Sequence, residues 1–176
     1  MKYAKLENSG IEVSKLCVGC MSFGKPSADF HEWTLSPAET EEVVKAALDN
    51  GINFFDTANV YSHGTSEEYL GRAIRNTTTR DKVVIASKVY FNEGHLPKEA
   101  INREIEGTLK RLGTDYLDLY IIHRFDYSTP IIGATKPKYF TDAAGALDVE
   151  LSDEDAAYLE ELYVPHRVVG ALPEKK

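Results

Sequence analysis

Apolar residues follow two alternating rhythms along this chain, short continuous runs and longer stretches in which they return every three or four positions. The first rhythm predicts buried strands and the second amphipathic helices. Their regular alternation predicts a parallel α/β architecture. After a hairpin-like opening around Asn8, Ser9 and Gly10, the first strand is expected over residues 16–20. Ser36 then caps a helix, with Pro37 at its first position, Glu39 closing a capping box and Gly51 ending it. Its apolar stripe is Val43, Val44, Ala47 and Leu48. Residues 52–55 make a second strand that leads into Asp56, and after a loop over residues 57–65, Ser66, Glu67 and Glu68 open a helix bearing Tyr69, Leu70, Ala73 and Ile74. The third strand, residues 83–88, ends on Lys88. Ile101, Ile105, Leu109 and Leu112 form the next helix face, which Gly113 stops, and the fourth strand, residues 116–122, ends at His123.

Asp56, Lys88 and His123 therefore each stand where a buried parallel strand finishes. Ligands of parallel α/β proteins bind at the carboxyl edge of the sheet, so polar residues there are candidates for chemistry. Strand interiors would not tolerate them unpaired.

Beyond Pro130 the pattern changes. Residues 131–136 read as another strand running into a Gly-containing turn, followed by an amphipathic stretch through Leu147. A last helix starts at Ser152, with Asp153, Glu154 and Asp155 placing negative charge at its N-terminus and Leu159 and Leu162 expected on its inner face. The tail, residues 164–176, contains Pro165 and Pro173 and reads as irregular. The link between the fourth strand and the next, residues 124–130, is shorter than the dozen or so residues that a parallel crossover needs. Something that should cover this step is missing.

Composition narrows the class. A chain of 176 residues with 43% hydrophobic content suits a single globular domain, read as residues 1–176, in which 1–130 form one part and 131–176 the rest. A net charge of −8 with no basic block argues against nucleic acid and acidic membranes as partners. No apolar run suggests a signal peptide or a membrane span, so the expected location is cytoplasmic. Cys17-x-x-Cys20 has redox spacing, but residues three apart on a strand face opposite ways, and no helix is expected to start there to stabilise a thiolate. Zinc is excluded because there is no second ligand pair at metal spacing and the five histidines are scattered, and no metal site is expected. Gly19-Cys20-Met21-Ser22-Phe23-Gly24-Lys25-Pro26 nearly spells a phosphate-binding loop, yet Pro26 replaces the hydroxyl that would hold magnesium and keeps Lys25 from starting a helix.

Phe54-Phe55-Asp56-Thr57-Ala58-Asn59-Val60-Tyr61, Gly64-Thr65-Ser66-Glu67-Glu68-Tyr69-Leu70-Gly71, Ser87-Lys88 and Asp115-Tyr116-Leu117-Asp118-Leu119-Tyr120-Ile121-Ile122-His123 together resemble the aldo-keto reductases. The resemblance runs from the first strand to about Pro130 and resumes over residues 130–162. It implies a (β/α)8 TIM barrel, NADPH or NADH as cofactor, and Asp56, Tyr61, Lys88 and His123 as the catalytic tetrad. It further implies Gly19 and Met21 beside the nicotinamide, with Asp56 also at the cofactor. Gly133 and Thr135 fall in the cofactor-phosphate segment, with Lys136 at the position that contacts a 2′-phosphate, which favours NADPH. Tyr139 and Ala143 stand where the family often has Gln and Asn for the adenosine.

The residue types also make sense on their own terms. Reducing a carbonyl by hydride requires a proton for the developing alkoxide, and a phenol releases one reluctantly near neutrality. The ammonium of Lys88 would ease that release, Asp56 would hold the lysine, and His123 would orient the substrate oxygen. Taken singly, each residue has a plainer explanation: an ion pair for Asp56 and Lys88, a loop aromatic for Tyr61, a satisfied core histidine for His123. The four together inside four matching motifs point to reduction of aldehydes or ketones with Tyr61 as proton donor. The rival reading is a non-catalytic binding or regulatory subunit on the same scaffold.

The fifth to seventh βα units of the family pattern have no counterpart in the chain, nor do its Ser-Asn pair, its carboxamide-binding Gln and its stacking aromatic. A full barrel takes about 250 residues. The expected fold is therefore an incomplete barrel, strands one to four plus the last strand and closing helices. Its open edges invite self-association.

Overall fold

In the computed structural model, which describes residues 1–126, 128, 129, 145 and 149–160, the alternating pattern of the chain becomes a parallel sheet with helices on one face. Strands β1 (Tyr3–Lys5) and β2 (Glu12–Ser14) pair antiparallel as the opening hairpin. The parallel sheet then runs β3 (Cys17–Gly19), β4 (Phe54–Asp56), β5 (Val84–Val89) and β6 (Leu119–Ile122), neighbours in space in the order of the sequence. The crossovers hold α1 (Pro37–Asp49), α2 (Thr65–Thr77) and α3 (Lys98–Leu112). Contacts group residues 1–130 into one compact unit and residues 131–176 into another.

Register decides what faces where. Val18, Phe55 and Ile85 lie opposite one another across β3, β4 and β5. With Val44, Leu70, Ile74 and Leu112 they form the core between sheet and helices. Side chains alternate along a strand, so the neighbouring register of Gly19, Asp56 and Ala86, and with it Lys88, turns to the other face. The sheet thus hides its apolar set under the helices and presents Asp56 and Lys88 away from them.

Local signals account for the helix ends. Ser36 and Glu39 form the expected capping box: the Ser36 N–H donates to Glu39 Oε2 at 2.8 Å and the Glu39 N–H to Ser36 Oγ at 3.4 Å. Gly113 ends α3 in the left-handed region at φ 67°. Helices α2 and α3 meet at Gly71, where a Cβ would overlap the Leu112 carbonyl oxygen. That carbonyl accepts from Arg75 Nη1 at 2.6 Å.

Several expectations shift. Val43 is exposed while Thr40, Val44 and Ala47 are buried. In α3 the small residues Ala100 and Thr108 face inward with Leu112, leaving Ile101, Ile105 and Leu109 half-buried, because short side chains let the helix lie close to the sheet. Cys20 leaves the first strand for a short 3-10 turn, Cys20–Ser22, and is fully buried. Strand β6 starts only at Leu119, since Asp118 is taken up by β5: its N–H donates to Ile85 O and its carboxylate accepts from the Ile85 N–H at 2.9 Å. Strands β3 and β6 are the two sheet edges, and Ile121 and Ile122 on β6 are 38% and 42% exposed.

In the second unit, α4 (Asp153–Glu160) is capped by Ser152, whose Oγ accepts from the Asp155 N–H at 3.1 Å. Leu159 is exposed rather than inward-facing, a correction to the expected apolar face. Leu162 and the strand expected over 131–136, with Gly133, Thr135 and Lys136, lie outside the described residues. No helix among the described residues is long and apolar enough to cross a membrane.

Candidate active site

Asp56 is the last residue of β4, and the chain beyond it keeps following β5. The Thr57 N–H donates to Ala86 O at 2.9 Å and the Asn59 N–H to Lys88 O at 3.1 Å. This ladder draws the loop after β4 along the end of β5, and Tyr61, two residues further on, begins a tight turn, Tyr61–Gly64. The turn brings the phenol over the sheet edge.

Lys88 joins these parts. Its Nζ donates to Asp56 Oδ2 at 2.8 Å, to the Thr57 carbonyl at 2.9 Å and to Tyr61 Oη at 3.1 Å. An ammonium has three protons and no acceptor, so these bonds use all of them. The Tyr61 oxygen accepts in its bond with Lys88, which leaves the phenol's own proton free to be donated elsewhere. The side chains of Lys88 and Asp56 are 13% and 31% exposed, so the pair is shielded from water yet reachable.

His123 follows β6, its N–H donating to Val89 O at 2.9 Å. Its ring stands edge-on to Tyr61 at 5.6 Å and to Phe91 at 5.1 Å. Burial, reinforced by the charge of Lys88, pushes its pKa below the ordinary histidine value. The neutral form of the ring is thereby favoured. Its Nδ1 is buried with no partner among the described residues.

The four expected catalytic residues are thus brought together at one end of the sheet, and Gly19 is beside them, opposite Asp56 in the register. Open space lies where a Gly19 Cβ would be, and Met21 in the adjoining turn is 40% exposed. Both cysteines are free thiols. Burial and the charge of Asp56 raise the pKa of Cys17 to about 11, and burial raises that of Cys20 as well. Neither is a ready thiolate. Among the described residues no group of three His, Cys, Asp or Glu is placed to hold a metal ion.

Sequence reasoning missed the supports. Glu67, read as a helix opener, is fully buried: one oxygen accepts from Ser87 Oγ at 2.6 Å, next to Lys88, and the other from Arg111 Nε at 2.6 Å. Asn59, also buried, donates through Nδ2 to Glu104 Oε2 at 3.0 Å and ties the loop after β4 to α3. An acidic residue in a helix's first turn carries no sign of burial, because exposed ones serve the helix dipole equally well. At the opposite, N-terminal edge of the strands a cavity of about 260 Å³ is bordered by Gly71, Ile74, Arg80 and Leu112. Arg80 there is engaged by Asp118 and by the carbonyls of Val83 and Tyr116, so this end is held by structural bonds.

Asp56 and Tyr61, joined through Lys88 at the carboxyl edge of a parallel sheet, make this end of the strands the candidate site. The profile of the aldo/keto reductase family matches residues 15–131, and the chain belongs to that family. It is 36% identical over 154 residues to the versiconal hemiacetal acetate reductase of Aspergillus parasiticus, an alignment that covers 74% of this chain and 44% of that protein. Among solved structures, a thermostable aldo-keto reductase in complex with the inhibitor epalrestat superposes with TM-score 0.63 at 35% identity, covering 74% of this chain and 45% of the other. An aldo-keto reductase from Klebsiella pneumoniae in complex with NADPH gives 0.58 at 34% identity, covering 72% and 41%. The fold is a (β/α)8 barrel of the aldo-keto reductase type, present in part, with β3 to β6 as its parallel strands. The chain spans less than half the length of the curated relatives it matches.

Proposed function

We propose that this chain reduces aldehydes or ketones to alcohols with NADPH, Tyr61 delivering the proton to the carbonyl oxygen. The observation that carries the reading is the position of Lys88 Nζ, 2.8 Å from Asp56 Oδ2 and 3.1 Å from Tyr61 Oη. Asp56 holds the ammonium in place. The ammonium stabilises the charge left on the Tyr61 oxygen as its proton departs. Neutral His123 donates from Nε2 to the substrate oxygen and fixes its direction, in a site whose low exposure strengthens each of these bonds.

NADPH, when bound, supplies the hydride. The open space at Gly19 beside Asp56, with exposed Met21 at its border, suits a flat ring. Gly133, Thr135 and Lys136 are proposed for the cofactor phosphates, Lys136 for the 2′-phosphate. The NADPH held by the Klebsiella pneumoniae relative supports this choice of cofactor. Residues 1–130 act as an N-terminal half-barrel and 131–176 as the final strand and closing helices of the same domain. The expected setting is the cytoplasm, with self-association through the open edges β3 and β6.

The test is NADPH consumption by the purified chain against a panel of aliphatic and aromatic aldehydes and ketones. Aldehyde-dependent oxidation supports the reading. NADPH binding without turnover across the panel would favour the rival, a non-catalytic binding or regulatory subunit, which the short span of the chain relative to its relatives makes a real competitor.

A further inference from the structure

After Tyr61 the backbone enters the left-handed region at three successive residues, Ser62 at φ 47°, His63 at φ 54° and Gly64 at φ 89°. Only the third is glycine. Non-glycine residues are disfavoured there, and such strain persists where surrounding structure enforces it. The enforcing groups come from the segment that follows β3. Ser62 is buried, 2% exposed, and its Oγ donates to the Phe23 carbonyl at 3.1 Å. Thr65 Oγ1 donates to Ser62 O at 2.7 Å and accepts from the Lys25 N–H at 2.8 Å. His63 Nε2 lies 3.2 Å from Asp29 Oδ2, and the Phe30 ring packs against the His63 ring. Between them Gly24 permits the close approach: a Cβ there would stand 2.5 Å from Ser62 Cβ and 2.8 Å from both Ser62 Oγ and Thr65 Oγ1.

We propose that Ser62 is a positioning residue for Tyr61. Its hydroxyl, through Phe23, fastens the strained turn to the segment after β3 and so fixes where the phenol stands relative to Lys88 and His123. Lys88 alone cannot do this, because one hydrogen bond to the phenol oxygen fixes a distance and not the direction of the ring. The inference rests on the reading of Tyr61 as proton donor for its functional meaning, but the positional claim stands apart from turnover.

The experiment compares the full chain with Ser62→Gly and Thr65→Val. Glycine is at home at positive φ, so Ser62→Gly removes the hydroxyl without forbidding the turn. Thr65→Val keeps shape and removes the second link. The readout is the nuclear Overhauser effect between the Tyr61 and His123 rings, assigned by its loss in His123→Gln. Folding is followed separately by the thermal midpoint. The expected result is loss of the inter-ring signal in both variants while each still unfolds cooperatively, and in active protein a kcat lowered on the order of tenfold to a hundredfold at unchanged KM. An inter-ring signal of wild-type strength in either folded variant would overturn the proposal. An inactive wild-type chain that nonetheless shows this loss in the variants would sink the reductase reading and leave the positioning claim standing.

Discussion

Lys88 shows what a single residue can reveal in advance and what it cannot. A lysine that finishes an apolar strand needs a partner, and Asp56 and His123, each finishing another strand, supplied the candidates from sequence order alone. Tyr61 was legible only through its motif, since a tyrosine in a loop has no periodicity to mark it. Ser62, Asn59 and Glu67 stayed hidden because polar and acidic residues near a helix start look the same in sequence whether buried or exposed. His123 carries a test of its environment. Burial and the nearby ammonium lower its pKa, so the unfolded chain takes up the proton more readily than the folded one. Stability is then full above the ordinary histidine value of about 6.5 and falls as pH drops below it. Thermal midpoints of the chain and of His123→Gln across this range should converge toward acid and separate toward neutrality. A wild-type curve that rises on acidification relative to the variant would contradict the neutral imidazole.

At the scale of elements, the capping box of α1 could be read because every atom of it lies within four residues. The inward face of α3 could not, because the choice between Ala100 with Thr108 and Ile101 with Ile105 is made by how closely the helix approaches the sheet. Helix α2 bears the strongest constraint. It carries Glu67, which has no exposed surface and bridges Ser87 on β5 to Arg111 on α3. Removing the cation would strand a buried carboxylate at a cost of about 3–5 kcal/mol. Arg111→Ala should therefore lower the thermal midpoint by roughly 10 °C, at about 2–4 °C per kcal/mol. Arg111→Lys should recover part of the loss. Equal midpoints for Arg111→Ala and the parent chain would show that the pair does not hold α2 to its neighbours.

The whole molecule was legible as an incomplete barrel through the short link at residues 124–130 and the family segments that have no counterpart in the chain, and the described sheet ends at β6 with Ile121 and Ile122 exposed. What fills the face of the sheet away from the helices depends on segments that carry no local signal in residues 1–130. Among the described residues β3 and β6 are the sheet edges, and Ile121 and Ile122 on β6 are exposed, an arrangement that favours pairing with another copy, so light scattering of the purified chain should give dimers or larger species. A monodisperse monomer would mean that the edges are closed within one chain. The central claim, that Asp56, Tyr61, Lys88 and His123 form a working carbonyl-reducing site, is tested most directly by the rate of aldehyde-dependent NADPH oxidation in the chain and in Tyr61→Phe, which removes only the hydroxyl. The account predicts turnover in the parent and a loss of about 10²–10⁴-fold in the variant, with the thermal midpoint unchanged. Equal turnover in the two proteins would contradict it.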